Sequence, residues 1–174
     1  FMGRISSGVV RPGDEVVALP SGQRSKVTHV EIGGVDLSEG VAEQSVTIRL
    51  ADEIDISRGD MLAHPDTAPQ VVKEAQAMVC WLSETPLDRA RTYALRQTTR
   101  TVKAKIADIP FRLDINTLAE DAAPAQLQMN DIARINLRLA QPICCDAYAQ
   151  NRATGAFILI DEATNNTVGA GMLL

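Results

Sequence analysis

Aromatic side chains are scarce in this chain of 174 residues: they make up 3% of it and include a single Trp. Because single-stranded bases bind proteins largely by stacking on aromatic rings, this scarcity disfavours a surface that binds single-stranded RNA. The formal net charge of -5 also disfavours unspecific attraction to nucleic acid or to an anionic membrane. We therefore predict no membrane partner, and composition weighs against a nucleic-acid partner.

Cysteine is also scarce and poorly placed for cross-linking. Cys80, Cys144 and Cys145 form an odd set with two adjacent members, which is unsuited to a disulfide framework and indicates a reducing compartment. Neighbours on a strand point to opposite faces, so we predict that at least one of the adjacent pair is a small buried hydrophobic residue. A free-standing β enzyme that uses Cys144 or Cys145 as nucleophile is an alternative, but the sequence shows no base paired with either.

Long apolar runs and nucleotide-binding loops are absent as well. No run approaches the length that spans a bilayer, and no basic leader precedes an apolar stretch, so we expect an unexported, cytoplasmic protein. No Gly-x-x-x-x-Gly-Lys-Ser/Thr loop occurs, so the chain itself is not expected to bind GTP. The chain opens directly on strand-like sequence at residues 1–5, and we expect further residues upstream.

Residue types that bind metals do not cluster at ligand spacing. The acidic stretch over residues 52–60 alternates in strand fashion, which sends neighbouring carboxylates to opposite faces. His29 and His64 lie far apart, with no Cys or second His at ligand spacing, so we predict surface or structural roles for both. We predict no catalytic, cofactor-binding or metal-binding residue in this chain.

The first third of the sequence has the pattern of a β unit, with short Val- and Ile-rich segments between Pro and Gly turns. Residues 45–50 alternate strictly, which predicts a strand with its apolar residues inward. Pro12 and Gly13 suit the two central positions of a type II turn, and we predict a hairpin there.

Residues 52–60 predict a further strand that ends in a tight turn. Ile54 and Ile56 are expected to face the core, while the acidic residues beside them face water. Gly59 supplies backbone freedom where the chain reverses, so Arg58-Gly59 is predicted to open the next strand.

The second part of the chain continues the β pattern. Residues 101–106 and 134–139 alternate between polar and apolar, which predicts two half-buried strands. Near its end the chain has a dense apolar stretch, then residues 165–166, and then a Gly-rich segment. This order predicts a closing hairpin. Residues 117–128 contain Pro124 and are predicted to be irregular rather than helical.

These segments predict an all-β fold of two consecutive small β-barrels, because closing a sheet of short strands removes edges that invite aggregation. The Pro-rich segment after His64 marks the boundary between compact units. We predict a first barrel over residues 1–66, a linker over residues 67–75 and a second barrel over residues 76–174.

Basic residues concentrate early in the second unit, against an acidic background. This concentration favours steering of a charged partner, whereas the alternative is a solvated strand face that prevents edge pairing. We select Arg100, Lys103 and Lys105 as a possible partner interface. The full set is Arg89, Arg91, Arg96, Arg100, Lys103, Lys105 and Arg112.

Several sequence runs occur together along the chain. They are LPSG at 19–22, VTI at 46–48, SRGD at 57–60, WLSETPL at 81–87, TTRTV at 98–102, DINTL at 114–118, NRATGAFILID at 151–161 and TVGAGM at 167–172. Over nearly the whole chain they resemble the large, GTPase subunit of bacterial sulfate adenylyltransferase. The Arg-Gly turn and the closing run also look like domains 2 and 3 of elongation factor Tu, two β-barrels that follow its GTPase domain.

This resemblance implies a parent protein that uses GTP and magnesium in a domain outside this chain. The parent is expected to couple GTP hydrolysis to a smaller catalytic subunit, which makes adenosine 5'-phosphosulfate and pyrophosphate from ATP and sulfate. The implied partners are the N-terminal GTPase domain and that small subunit. The barrels are expected to be non-catalytic, to relay the nucleotide state and to dock the catalytic subunit.

A translation elongation factor whose barrels hold tRNA is the alternative interpretation. The scarcity of aromatics and the low pI of about 5.0 weigh against it. Salt-sensitive binding of aminoacyl-tRNA in a gel shift at physiological ionic strength would favour it.

Overall fold

The computed structural model describes residues 1–122 and 124–174, and it confirms the all-β fold class. The chain divides into two compact units, Phe1–Gln70 and Val71–Leu174. Within the described residues the only helical elements are a 3-10 turn at Pro65–Thr67 and the one-turn helix α1 at Arg152–Gly155. No described helix has the length and apolarity that crossing a bilayer requires.

Unit 1 is built on a six-stranded sheet in the order β1-β7-β4-β3-β8, with β5 added to β4, beside a β2–β6 pair. Its strands are β1 Met2–Arg4, β2 Val9–Val10, β3 Glu15–Leu19, β4 Gln23–Ile32, β5 Val35–Leu37, β6 Gly40–Val41, β7 Ser45–Leu50 and β8 Met61–Ala63. As predicted, β7 buries Val46 and packs Ile48 and Leu50 against a small core of valines.

The predicted hairpin at Pro12-Gly13 is wrong, although the turn itself forms. The backbone N–H of Asp14 donates to the Arg11 carbonyl (3.1 Å), and Gly13 has a φ of 100°. The flanking strands are not partners, however, since β2 pairs with β6 while β3 pairs with β4 and β8. Instead, the turn makes backbone hydrogen bonds to Val27 of β4, so the chain leaves the turn beside β4.

The predicted strand over residues 52–60 is also wrong, because β7 ends at Leu50. Asp52 leaves the ladder: its backbone N–H donates to the hydroxyl of Ser25 (3.2 Å), and that hydroxyl donates to the Asp52 carboxylate (2.8 Å). Ile54 and Ile56 are nonetheless half-buried. Burial therefore alternates along this segment as predicted, although the segment forms no hydrogen-bonded ladder. A polar side chain can therefore end a strand that hydrophobic alternation alone would extend.

The predicted Arg58-Gly59 turn is confirmed. The N–H of Asp60 donates to the Ser57 carbonyl (3.0 Å), and Gly59 has a φ of 99°. This positive φ is favourable for Gly and strained for other residues. β8 begins directly afterwards at Met61.

Unit 2 is a closed barrel of six strands. Its elements are β9 Gln70–Trp81, β10 Tyr93–Gln97, β11 Arg100–Leu113, β12 Glu120–Ala122, β13 Ile132–Cys145, β14 Ala156–Ile160 and β15 Thr167–Leu173. The order is β10-β14-β15-β9-β13-β11, and the ring closes because β10 also pairs with β11, while β12 extends β11. Closure leaves each barrel strand with an inner and an outer face.

The predicted alternating strands of unit 2 are confirmed. Val102, Ala104 and Ile106 of β11 are at most 4% exposed and fill the barrel interior. Residues 135–139 of β13 bury their apolar members in the same core. Burial of a large aliphatic side chain contributes about 1.5–3 kcal/mol, so these two long strands contribute strongly to the stability of unit 2.

Three other segments of unit 2 bear on the sequence predictions. Residues 70–75, which were predicted as linker, lie in β9, because Val72 and Ala75 pack against the barrel core. The closing hairpin is confirmed, since β14 pairs with β15 antiparallel. The predicted irregular segment 117–128 contains the short strand β12, and its residue Ala123 lies outside the described residues.

Candidate partner-binding site

The structure does not bring the three predicted interface residues onto one face of β11. Arg100 shares the inward side of Val102, is half-buried, and donates from Nε to the Pro142 carbonyl (2.8 Å). Lys103 and Lys105 lie on the outer face, which alternates with the inner one at period two. Of these three residues, only the two lysines therefore present their charge on the outer surface of the barrel.

Several other members of the basic stretch are neutralised by carboxylates. Arg91 pairs with Asp161 at 3.0 Å, and Arg89 pairs with Asp108 at 3.4 Å. Hydrogen bonds to Asp121 and Asp131 hold the guanidinium of Arg112 and raise its pKa. These arginines join distant parts of the chain, so the sequence alone overstates the cationic surface.

Arg96, rather than Arg100, lies beside the lysines on the outer face of the barrel. Arg96 and Thr101 are cross-strand partners, as are Ala94 and Lys103, which places Arg96 and Lys103 on the same outer face of β10 and β11. The side chain of Lys103 is 67% exposed and lies 3.9 Å from Glu162, a distance at which an exposed pair contributes little. We refer to Arg96, Lys103 and Lys105 as the cationic face.

Lys105 lies in register with Arg138 of β13, and like charges opposite one another destabilise a sheet. Arg138 pairs with Glu74 of β9, which accepts from its Nε at 3.1 Å. Both side chains of that pair are 71% exposed, so Arg138 and Lys105 both lie on the outer surface of the barrel.

A buried polar network anchors the segment between β13 and β14. The side-chain amide of Gln97, which is 1% exposed, donates to the carbonyls of Cys144 (2.8 Å) and Thr154 (2.7 Å). The Thr154 hydroxyl donates to Asp146 (2.7 Å), and Asn151 caps the one-turn helix by accepting from Ala153. Sequence reasoning missed Gln97, whose signal is a polar residue at an inward position of a strand.

The three cysteines differ in exposure. None of them is in a disulfide, and Cys144 and Cys145 are buried, as predicted for at least one of that adjacent pair. Burial raises the pKa of Cys145 to about 11, and the charges of Asp146 and Cys144 act in the same direction. A thiol with such a pKa is protonated near neutrality, whereas the thiolate is the nucleophile, so a Cys145-dependent enzyme is disfavoured.

This raised pKa predicts an alkaline loss of stability. The folded state holds the Cys145 proton more tightly than the unfolded chain, so the contribution is complete below the ordinary pKa of 9.0 and is lost as the pH rises through about 11. We expect urea midpoints to fall across this interval, and Cys145→Ala to flatten the fall. Cys80→Ala is the matched control, and an equal flattening in that variant would contradict the assignment.

Metal ligands do not converge in the described part of the chain, where no group of three or more His, Cys, Asp or Glu side chains is placed to hold an ion. His29 is exposed, and His64 lies 3.1 Å from the Val9 carbonyl and 3.6 Å from Asp14. His29 therefore lies at the surface, and His64 contacts a backbone carbonyl and a carboxylate.

Comparison with known families identifies the fold. Residues 74–174 match the family described as GTP-eEF1A C-terminal domain-like, and residues 1–63 match elongation factor Tu domain 2. The chain belongs to the GTP-eEF1A C-terminal domain-like family. The elongation factor Tu-like architecture predicted from the sequence is thereby confirmed.

Several named proteins are similar in sequence to the whole of this chain. The chain is 46% identical over 178 residues to sulfate adenylyltransferase subunit 1 of Shewanella oneidensis, covering 100% of this chain and 37% of that protein. It is 44% identical over 175 residues to the bifunctional enzyme CysN/CysC of Mycobacterium tuberculosis, covering 100% of this chain and 28% of that protein. It is also 41% identical over 174 residues to sulfate adenylyltransferase subunit 1 of Bacteroides fragilis, with coverage of 100% and 36%. The chain thus spans 28% to 37% of the length of these relatives.

Solved structures support the fold. A crystal structure of sup35 complexed with GDP has a TM-score of 0.90 to this chain at 18% identity, and covers 99% of this chain and 43% of that one. The same protein complexed with GMPPNP gives a TM-score of 0.88. At this identity the likeness shows the fold alone.

Proposed function

We propose that this chain is the tandem-barrel part of the large, GTPase subunit of a sulfate adenylyltransferase. In this proposal the parent subunit couples GTP hydrolysis to the synthesis of adenosine 5'-phosphosulfate from ATP and sulfate in the cytoplasm. The observation that carries it is the identity of 41% to 46%, over the whole chain, to proteins named sulfate adenylyltransferase subunit 1. GTP and magnesium bind a domain outside this chain, and the chain itself performs no chemical step.

The proposed role of the barrels is mechanical. They pack against the GTPase domain and dock the small catalytic subunit, and their arrangement follows the bound nucleotide. Such a device requires that each nucleotide state favour a different packing by differential contacts. The closed barrel of unit 2 suits this role, because its strands are hydrogen-bonded into a ring and move together.

Docking is proposed to involve the cationic face. Lys103 is 67% exposed, and Lys103 and Lys105 lie side by side on the outer face of β11. On a chain with a net charge of -5, a local group of cations favours an oriented approach of an acidic surface. We propose that this acidic surface lies on the small catalytic subunit.

Charge reversal at both lysines tests this docking. We expect Lys103→Glu with Lys105→Glu, in the full-length subunit, to weaken binding of the cognate small catalytic subunit by about tenfold or more, mainly through a slower association. Calorimetric titration at low and physiological salt gives the affinity, and the difference between variant and wild type should shrink as salt rises.

The matched control is Lys26→Glu with Lys73→Glu. Both residues are exposed lysines outside the cationic face, and the double change alters the net charge equally. Unchanged affinity in the Lys103 and Lys105 variant, or an equal loss in the control, would contradict docking at this face.

A further inference from the structure

Strand β14 is apolar on both faces. Its inner residues Phe157 and Leu159 are at most 4% exposed in the barrel core. Its outer residues Ala156, Ile158 and Ile160 are also apolar and only half-buried. A strand with one face in water normally alternates with polar residues, whereas continuous apolar sequence is typical of a strand covered on both faces.

The apolar character continues across the neighbouring strands. Cross-strand register places Ile158 beside Ala170 of β15, and Ala170 beside Cys80 of β9. The next outer row runs from Ala156 to Met172, which is 42% exposed, and then to Met78. The apolar outer face, as we define it, consists of Met78, Ala156, Ile158, Ile160, Ala170 and Met172.

The cationic face borders this apolar face directly. Arg96 of β10 is the cross-strand partner of Ile158. Ala94 lies between Ile160 on one side and Lys103 on the other. The outer surface of the barrel therefore changes from apolar to cationic within two strands, with Glu162 as the acidic neighbour of Lys103.

We propose that the apolar outer face and the cationic face form one continuous docking surface for a protein partner. The partner surface it fits is apolar at its centre and carries carboxylates at the edge that meets Arg96 and Lys103. This inference rests on the proposed function, in which the partner is the small catalytic subunit. The apolar rows supply the area that excludes water, and the cations fix the orientation of the partner.

The two halves of the surface have separable kinetic signatures. Charges at the edge of an interface act mainly on the association rate, whereas apolar residues at its centre act mainly on dissociation. We expect Ile158→Thr with Met172→Thr to raise the dissociation rate of the cognate small subunit from the full-length large subunit about tenfold, with little change in association. Threonine is suited to an outer strand position, and at position 158 it keeps the β-branched shape of Ile.

The matched control is Ile32→Thr with Ile115→Thr. These apolar residues are 40% and 63% exposed and do not belong to the proposed surface. We expect wild-type dissociation in this control. Thermal unfolding of each variant separates loss of docking from loss of the fold.

Cys80 gives a readout that needs no substitution. It is the half-buried cysteine and lies in the row of Ile158 and Ala170, whereas Cys144 and Cys145 are buried. Peptide mass spectrometry after brief iodoacetamide treatment should show several-fold slower modification of Cys80 once the small subunit is bound. Equal modification in free and bound protein would overturn the proposal.

The outcomes separate this inference from the proposed function. If the Ile158 and Met172 variant dissociates like wild type while charge reversal still weakens binding, the apolar half is refuted and docking at the lysines stands. If neither variant affects binding, both proposals fail. A dimer of the large subunit that the Ile158 and Met172 variant abolishes, detected by sedimentation in the absence of small subunit, would assign the surface to a second copy of the chain and overturn the partner proposed here.

Discussion

Gly155→Ala is expected to lower the free energy of unfolding of unit 2 by at least about 3 kcal/mol. A Cβ at this position would lie 2.5 Å from the backbone nitrogen of Tyr148 and closer still to its Cα. The Tyr148 backbone cannot move aside without loss, because its N–H donates to the Leu173 carbonyl of β15 (2.9 Å). The expected result is therefore a displaced segment between β13 and β14, measured as a lower urea midpoint.

Gly169→Ala is the matched control for this prediction. Its added Cβ would meet side-chain atoms of Leu159 and Val79 at 3.4 Å and the Cys80 carbonyl oxygen at 3.5 Å, which are ordinary van der Waals distances. We expect a loss of at most about 1 kcal/mol there, since none of these contacts is a clash. Equal losses for the two glycine variants would contradict the backbone clash at Gly155.

Gln97→Glu is expected to have the second large effect, a loss of about 3 kcal/mol or more at neutral pH. The Gln97 amide donates to two buried carbonyls, whereas an ionised carboxylate donates nothing and repels both oxygens. The site is 1% exposed, so water does not compensate for this loss. Chemical unfolding of the full-length protein, followed with a probe in unit 2, measures the change.

The pH dependence of this variant has a definite sign. Burial beside two carbonyl oxygens raises the folded-state pKa of the introduced carboxyl above its unfolded value of about 4.3. The variant is therefore closest to wild type below about pH 4 and loses stability as the pH rises towards neutrality. Gln150→Glu, at an exposed position, is the control and should show no such trend.

Alternation along the strands was readable from the sequence because it is local. The inward positions of Val102, Ala104 and Ile106 follow from period two alone, and the structure buries all three. The same rule assigns Arg100 to their side of β11, and its long stem lets the guanidinium reach the Pro142 carbonyl. The prediction that grouped Arg100 with Lys103 and Lys105 followed charge density along the chain and overlooked this parity.

Features that depend on pairing between distant segments could not be predicted from the sequence. Arg91 pairs with the carboxylate of Asp161, and at a sequence separation of 70 there is no local signal of that contact. The border between Arg96 and Ile158 likewise exists only because β10 pairs with β14. The strand predicted over residues 52–60 does not form for a related reason. Asp52 bonds to Ser25, at a sequence separation of 27, instead of continuing the ladder.

Zero-length cross-linking of the complete complex tests the central claim most directly. A carbodiimide joins a lysine amine to a carboxylate only where the two groups touch, so it reports on the charge pairing proposed for the cationic face. With the full-length large subunit and its cognate small catalytic subunit, the account predicts cross-links from Lys103 or Lys105 to Asp or Glu residues of the small subunit. A stable complex whose cross-links to the small subunit all lie elsewhere on the large subunit would contradict it.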